Sequence, residues 1–273
     1  MRVSVLIPTY KDIRALELIL DALKLQTYQN FEVIVAEDDN SNELKDFLKE
    51  YKSKYSIYHL FHENLGNRKA IIMNKALKES RGEYIVFIDG DTIPYRTFVE
   101  SHVALAKKRV VLCGRRVNLG DKVSTLLREG KISAYELERH YLKYYRLIKD
   151  DNSRHYEQGL YFKANGIVQK ILMKLNKNVH IVASNFSCFR EDIFAVNGFD
   201  EDLPNAPHRD DTDLEWRLVG IGCKLVSVKY CANMFHLNHS RNDRRDEEEE
   251  NMRLIRKKQQ QKEFVAKNGI MKL

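Results

Sequence analysis

The sequence lacks the features that mark secreted, zinc-binding and membrane-spanning proteins. Its 273 residues include four cysteines, none in a CxxC pattern, which argues against a disulfide framework or a zinc ribbon. No uninterrupted apolar run approaches the roughly 20 residues of a spanning helix, and Met1 leads at once into a strand-like run, not a signal peptide. Four prolines and 12 glycines form no linker between domains. We therefore expect a globular protein of the reducing cytoplasm.

The composition that is present is that of a folded chain with a sizeable core. Hydrophobic residues make up 43% and charged residues 31%, a balance that argues against disorder. Lysine and arginine outnumber aspartate and glutamate by 46 to 39, which gives a net charge of +7. This charge is compatible with polyanions, anionic lipid or phosphorylated substrates as partners, and it selects none of them.

Short apolar runs alternate with helical patterns along the N-terminal half. Five runs are typical of strands: residues 3–7, 31–36, 57–61, 84–88 and 110–113. Between the first two, Leu16, Ile19 and Leu23 recur at helical spacing. This order predicts an α/β fold with a Rossmann-like, mostly parallel sheet flanked by helices.

The predicted organisation is a single domain over residues 1–240 followed by a tail. Residues 1–115 form its first α/β half, and residues 116–180, rich in Lys, Arg and Tyr without clear strand runs, predict a helical insertion or lid. The α/β pattern returns over residues 181–240. Residues 241–273 carry a charged run and spaced apolar residues, which indicates a basic C-terminal helix.

Carboxylates follow the predicted strands at the sheet edge where open α/β folds bind ligands. Asp39 comes after the second strand, and Asp89-Gly90-Asp91 comes after the fourth. In extended backbone Asp89 and Asp91 project to the same side, and Gly90 lets the chain approach a ligand closely. Such a pair favours Mg²⁺ or Mn²⁺ with oxygen ligands. The alternative is a solvated turn, which an isolated tripeptide of this kind usually forms.

Two further groups of polar residues occur late in the chain. His236 and His239 either complete a metal site, where a nitrogen ligand favours Mn²⁺, or have a structural role. Asp210 and Asp211 begin a predicted helix, where they either interact with its dipole or supply a general base whose pKa is raised by acidic neighbours. Trp216, the only tryptophan, either stacks on a ring of a bound ligand or packs in the core.

Several stretches follow one another in an order typical of a known family. They are VLIPTY (5–10), QTYQNFEVIV (26–35), DDNS (38–41) and GEYIVFIDGD (82–91). A second block adds NFSC (185–188), NGFD (197–200) and DDTDLEWRL (210–218). Together they resemble the family 2 glycosyltransferases of GT-A fold, and the second block is similar to galactosyl- and N-acetylgalactosaminyltransferase-like members. The resemblance covers residues 3–115 and, with the second block, extends to about residue 240.

The resemblance implies roles for individual residues. Asp211 would be the catalytic base and Asp210 would bind acceptor hydroxyls with Trp216, although the two roles stay open to exchange because the family's usual first residue is glutamate. Mn²⁺ or Mg²⁺ would be held by Asp89 and Asp91 and completed by His239 or His236. Arg68 follows a family-like loop at residues 64–67. The nucleotide would be bound by Pro8, Thr9, Tyr10, Asp39, Arg68, Asp89, Gly90 and Asp91.

The implied reaction moves a hexose or N-acetylhexosamine, preferentially galactose or GalNAc, from a UDP-sugar donor to a saccharide or lipid-linked saccharide acceptor with inversion. One alternative is a metal-dependent nucleotidyltransferase, against which stands the lack of a Gly-rich phosphate loop near the N-terminus. Another is a non-catalytic nucleotide-sugar or glycan-binding protein, which would lack the base or metal carboxylates. Nucleic acid is not expected as a partner, because basic and acidic residues are interspersed.

The basic C-terminal segment has two interpretations. Its spaced residues Met252, Ile255 and Phe264 either contact an anionic membrane surface, where lipid-linked acceptors reside, or pack against the domain. The first interpretation would place the protein peripherally on the inner face of the membrane.

Overall fold

A computed structural model describes residues 1–63, 68–176, 178–203, 210–239 and 245–272. Two sheets organise the described chain. The strands are β1 (Val3–Thr9), β2 (Phe31–Glu37), β3 (Ser56–Phe61), β4 (Tyr84–Ile88), β5 (Thr92–Pro94), β6 (Val110–Cys113), β7 (Val117–Asn118), β8 (Asn185–Phe189), β9 (Lys224–Ser227) and β10 (Met234–His236). The large sheet has the order β3-β2-β1-β4-β8-β6-β9, and the small sheet has the order β5-β10-β7.

Helices connect and cover these strands. They are α1 (Ile13–Lys24), α2 (Asn42–Glu50), α3 (Lys69–Glu79), α4 (Phe98–Leu105), α5 (Asp121–Arg128), α6 (Ala134–Arg139), α7 (Tyr141–Asp150), α8 (Ile167–Leu175), α9 (Arg190–Ala195), α10 (Asp210–Gly220) and α11 (Arg245–Gln261), with a short 3₁₀ helix at Tyr156–Gly159. Among the described residues, no helix is both long enough and apolar enough to cross a bilayer.

The large sheet is parallel except for β8, which runs antiparallel to β4 on one side and to β6 on the other. Strand β1 pairs in parallel with β2 and β4, so the C-terminal ends of these three strands lie side by side. The predicted α/β class, with a mostly parallel sheet between helices, is confirmed.

Alternate residues of each strand enter two different cores, because successive side chains of a strand point to opposite faces of the sheet. In β4, Val86 packs in a core with α1, whereas Ile85 and Phe87 pack in a second core with α3 and α10. A strand that is covered on both faces must be apolar throughout, and all five residues of β4 are buried. The sheet is therefore a rigid support for the loops at its edge.

The C-terminal segment packs on the domain. Ile255 of α11 is fully buried in a cluster with Leu203 and Trp216, and the Phe264 ring lies 5.3 Å from that of Trp216. The Ala266 amide donates to the Val196 carbonyl oxygen. The structure thus shows the second of the two arrangements that the sequence allowed for this segment; residues 241–244 lie outside the described residues.

Candidate active site

The ends of β1 and β2 form the first wall of the candidate site. The Asp38 amide donates to the Thr9 carbonyl oxygen at 3.0 Å, which joins the two strand ends. The Asp38 carboxylate pairs with His62 at 2.6 Å and accepts a hydrogen bond from the Arg68 amide at 3.0 Å. Asp38 appeared in the sequence analysis only as part of DDNS (38–41), and His62 did not appear at all, yet both hold the backbone that carries Asp39 and Arg68.

The structure brings the predicted nucleotide-binding residues to this same edge. Pro8 and Thr9 end β1, and Tyr10, whose side chain is exposed, follows the strand directly. The Asp39 carbonyl oxygen accepts from the His62 amide at 3.3 Å, which closes the loop after β2. Their contact with a nucleotide stays a prediction. Residues 64–67 of the family-like loop lie outside the described residues.

Gly90 is required where the loop after β4 crosses the end of β1. A Cβ atom at this position would lie 2.4 Å from the Pro8 carbonyl oxygen. Side-chain carbons do not approach backbone oxygens that closely, so any larger residue would displace one of the two loops. The close approach that the sequence suggested for Gly90 is therefore an approach to the backbone of Pro8. Gly90 lies between Asp89 and Asp91, the two carboxylates of the loop.

The expectation that Asp89 and Asp91 project together from extended backbone was wrong. Residues 89–92 form a turn between β4 and β5, closed by hydrogen bonds from the Thr92 amide and hydroxyl to the Asp89 carbonyl oxygen at 3.2 and 2.9 Å. The two carboxylates consequently have different partners. That Asp89 also ligates the metal stays a prediction.

Asp91 meets both candidate histidines. Its carboxylate lies 3.3 Å from Nε2 of His236 and 3.2 Å from Nε2 of His239, and the ligand atoms of the three residues lie within 4.8 Å of one another. The small sheet produces this arrangement, because β10 pairs antiparallel with β5 and sets His236 opposite Thr92. Residues that are some 145 positions apart in the chain are thereby brought to one place.

This trio has the properties of a divalent metal site. Oδ1 of Asp91 is buried without a hydrogen-bond partner in the described structure, although a buried carboxylate oxygen normally has one. Burial alone would raise the pKa of Asp91, but the imidazoles of His236 and His239 outweigh it and hold the pKa well below its usual range. One carboxylate with two imidazoles suits Mn²⁺ and the neighbouring transition metals, and it fits the predicted Mn²⁺ better than Mg²⁺, which prefers oxygen ligands alone.

Lys69 links the loop after β4 to the start of α10, and sequence reasoning missed it. Its Nζ lies 2.9 Å from Asp89 and 3.8 Å from Asp210. Burial lowers the pKa of Lys69, and the carboxylates of Asp89 and Asp210 more than offset this, so its pKa is raised. A signal was present in the sequence: a lysine in the first turn of a helix is disfavoured by the helix dipole unless a carboxylate compensates it.

Asp210 and Asp211 occupy different environments at the start of α10. Asp210 is buried, and burial, offset by Lys69 and reinforced by the nearby carboxylates, raises its pKa to about 7. Asp211 is half-buried, and its Oδ1 accepts from the Thr212 amide at 2.8 Å. Asp211 is therefore the more accessible carboxylate, whereas Asp210 has the proton affinity of a group that can exchange a proton near neutral pH.

Trp216 belongs to a different part of the molecule. It follows Asp210 and Asp211 on α10 but packs against Phe264 and the α11 cluster. This is the core role that the sequence left open. The assignment of Trp216 to an acceptor site receives no support from these contacts.

A polar pocket of about 180 Å³ extends from the two histidines to the insertion. Asn118 and Arg154, whose backbones form a bridge between β7 and the loop after α7, line it. His236, Asn238 and His239 line it as well. Residues of the 116–180 segment therefore share a pocket with both histidines of the trio.

The open α/β sheet carries carboxylates and histidines at its C-terminal edge, where such folds bind ligands, and comparison with known proteins identifies the class of protein. Residues 4–195 match the model of glycosyl transferase family 2, so the chain belongs to that family. It is 30% identical over 115 residues to validoxylamine A glucosyltransferase of Streptomyces hygroscopicus subsp. jinggangensis. That match covers 40% of this chain and 27% of the relative. It is 28% identical over 127 residues to chondroitin synthase of Escherichia coli, covering 45% and 18%.

Solved structures show the same GT-A fold. S. aureus TarS 1-349 in complex with UDP matches with a TM-score of 0.60 and 16% identity over 93% of this chain and 64% of that one. The mannosyltransferase PcManGT of Pyrobaculum calidifontis, in complex with GDP-Man and Mn²⁺, matches with a TM-score of 0.55 and 17% identity over 88% and 58%. This chain spans less than a third of the length of the two sequence relatives named above.

Proposed function

We propose that this chain is a metal-dependent, inverting glycosyltransferase that moves a hexose or N-acetylhexosamine, preferentially galactose or GalNAc, from UDP to a saccharide or lipid-linked saccharide acceptor. One observation carries the proposal: Asp91, His236 and His239 converge at the C-terminal edge of the sheet, and the loop of Asp91 also carries Asp89, which Lys69 links to Asp210. In an open α/β sheet this edge is where ligands bind. We assign the catalytic domain to residues 1–240.

The donor end of the site would be built from the loops after β1, β2 and β4. Asp39 and Tyr10 would contact the base, and Arg68 the diphosphate, since a guanidinium can bind phosphate oxygens in a bidentate manner. Relatives of the same fold support a nucleotide-sugar donor, because TarS has been solved with UDP and with UDP-GlcNAc. These contacts rest on placement at the edge and on the family resemblance.

The Asp91 carboxylate and the His236 and His239 imidazoles would hold the metal ion. When bound, Mn²⁺ or Mg²⁺ would neutralise charge on the departing diphosphate. The His236 side chain is buried, whereas the His239 side chain is 45% exposed, so solvent reaches the trio on the His239 side. A substrate would approach the metal ion from that side.

Asp211 would be the general base. Its carboxylate would take the proton of an acceptor hydroxyl as that oxygen bonds to the anomeric carbon. At the same time the bond from that carbon to the diphosphate oxygen breaks, and UDP leaves with the electron pair on the opposite face. Asp210, held by Lys69, would position Asp211 and bind acceptor hydroxyls. Attack opposite to the leaving group inverts the anomeric centre.

Two substitutions separate donor binding from transfer. We expect Asp91→Asn to weaken Mn²⁺-dependent UDP binding in calorimetry and to abolish turnover. Asp211→Asn should retain UDP binding and lower transfer by about 10²-fold or more, the usual contribution of general base catalysis. Asp46→Asn is the matched control, because Asp46 lies exposed on α2 and pairs only with Lys49 in the described structure.

The assay screens UDP-galactose, UDP-GalNAc, UDP-glucose and UDP-GlcNAc with Mn²⁺ and measures release of UDP. If Asp211→Asn turned over at the rate of the Asp46→Asn control, Asp211 would be removed from the mechanism. A parallel assay supplies a nucleoside triphosphate and measures release of pyrophosphate. Release of pyrophosphate there, with no release of UDP from the four UDP-sugars, would replace the proposal with nucleotidyl transfer.

A further inference from the structure

Helix α8 presents its apolar residues to solvent. Ile167, Val168, Ile171 and Leu175 are 80, 47, 54 and 72% exposed. Ile167, Ile171 and Leu175 follow at intervals of four, so they form one continuous ridge along the helix. A helix on the surface of a globular domain normally turns such a stripe toward the core.

The inner face of α8 is not wholly apolar, because the buried Gln169 lies on it together with the half-buried Leu172 and Met173. Gln169 is fully buried; its side-chain oxygen accepts from the Asn165 amide at 3.2 Å, and its amide group contacts the sulfur of Met173. At the other end of the helix, Asn176 donates to the Ser227 hydroxyl of β9 at 2.8 Å. The Asn165 side chain donates to the Ala104 carbonyl oxygen at 3.0 Å, so hydrogen bonds to other elements hold both ends of α8 and fix the outward direction of the ridge.

The segment that carries the ridge contains basic residues and no acidic ones. No aspartate or glutamate occurs between Glu157 and Glu191, whereas five lysines and arginines do. Lys170 and Lys174 are exposed on α8 itself, and neither pairs with a carboxylate within the residues that the structure describes. A groove of about 420 Å³ between α8 and β9 is lined by both lysines and by no acidic residue.

We propose that α8 docks on an anionic lipid bilayer, with the ridge of Ile167, Ile171 and Leu175 in the interface and Lys170 and Lys174 at the headgroups. An apolar stripe flanked by lysines is the combination that such a surface selects, since apolar side chains enter the acyl boundary and lysine stems extend to the phosphates. The C-terminal helix is less suited to this role, because Ile255 is buried against Leu203. The docking is independent of the proposed transfer reaction.

The test is co-sedimentation with vesicles of phosphatidylcholine with and without phosphatidylglycerol. We compare the full chain with the triple variant Ile167→Ser, Ile171→Ser, Leu175→Ser. The matched control replaces three exposed apolar residues of other segments: Leu142→Ser, Val219→Ser, Met271→Ser. A second variant, Lys170→Gln with Lys174→Gln, removes the charge and keeps the ridge. Circular dichroism melting verifies that each variant is folded.

We expect the unmodified chain and the control to bind anionic vesicles and to bind neutral vesicles weakly. Binding should fall about tenfold for each apolar residue removed and about fivefold for each lysine. Equal binding of the ridge variant and the control would overturn the proposal. So would sedimentation equilibrium that shows a dimer in the unmodified chain and a monomer in the ridge variant, because the ridge would then be covered by a second copy.

Discussion

Removing the Lys69 ammonium tests whether this residue stabilises the site through its two carboxylates. Lys69→Met keeps most of the side-chain volume and deletes the charge that lies 2.9 Å from Asp89 and 3.8 Å from Asp210. Asp210 is buried and Asp89 only a quarter exposed, so neither carboxylate can recover full hydration. The variant should therefore unfold at lower denaturant concentration.

The size of the effect follows from opposing terms. A charge pair about 4 Å apart contributes about 4 kcal/mol at an effective dielectric constant of 20, before desolvation is subtracted. Removing one partner of a buried pair usually costs about 3–5 kcal/mol. Because the pKa of Asp210 is already about 7, its carboxyl can take up a proton at neutral pH at small cost. We therefore expect a loss of about 3 kcal/mol, the lower end of that range.

Urea unfolding at pH 7 of a double-mutant cycle measures this coupling. Asp210→Asn alone should lower the free energy of unfolding by about 1 kcal/mol. In the double variant, Asp210→Asn should restore about 1–2 kcal/mol of the free energy of unfolding that Lys69→Met removes. Lys108→Met is the control, because Lys108 pairs with Glu191 on the surface and should contribute less than about 1 kcal/mol. Equal destabilisation by Lys69→Met and Lys108→Met would refute the role given to Lys69.

Two further predictions concern Gly90 and His102, a fully buried residue of α4 that contacts Ser187 and Asn185 of β8. Gly90→Ala should destabilise the fold by about 1–3 kcal/mol and weaken UDP binding, because its Cβ would meet the Pro8 carbonyl oxygen; unchanged melting and unchanged calorimetry would contradict this. Burial lowers the pKa of His102 to about 3, against about 6.5 when unfolded, so between these pH values the unfolded chain binds the extra proton. Stability should then fall by about 1.4 kcal/mol per pH unit of acidification, and His102→Gln should remove this part of the slope; an unaltered slope would exclude His102 as its source.

The parts of the fold that could be predicted from sequence are those with a local signal. Strand β4 is a continuous apolar run and β1 and β2 are largely apolar, because both faces of the sheet are covered, and the acidic residues after β2 and β4 mark its C-terminal edge. Asp91, His236 and His239 were candidate metal ligands from residue type, position near strand ends and the family resemblance, and the structure brings them together. Which histidine meets Asp91 could not be predicted, and the structure brings both within reach.

The parts that could not be predicted depend on pairing between distant segments. Strands β5 and β10 have three residues each, too few to show a period of two, yet their pairing places His236 beside Asp91. The turn at Asp89 also follows from this pairing, because β5 must leave the large sheet. Helix α8 has the composition of a core helix, and only the structure shows that its apolar stripe faces outward.

The turn between Asp89 and Asp91 gives the two carboxylates of the Asp-Gly-Asp motif different partners. Asp89 and Asp210 are compensated by Lys69, which is part of the protein and is always present. Asp91 keeps a buried oxygen without a hydrogen-bond partner in the described structure, and its imidazole neighbours are good metal ligands. Within the described residues only Asp89 of the Asp-Gly-Asp motif has a lysine partner, so we expect the proposed metal ion to be held mainly through Asp91. Loss of metal should accordingly impair donor binding while the link from β4 through Lys69 to α10 is retained.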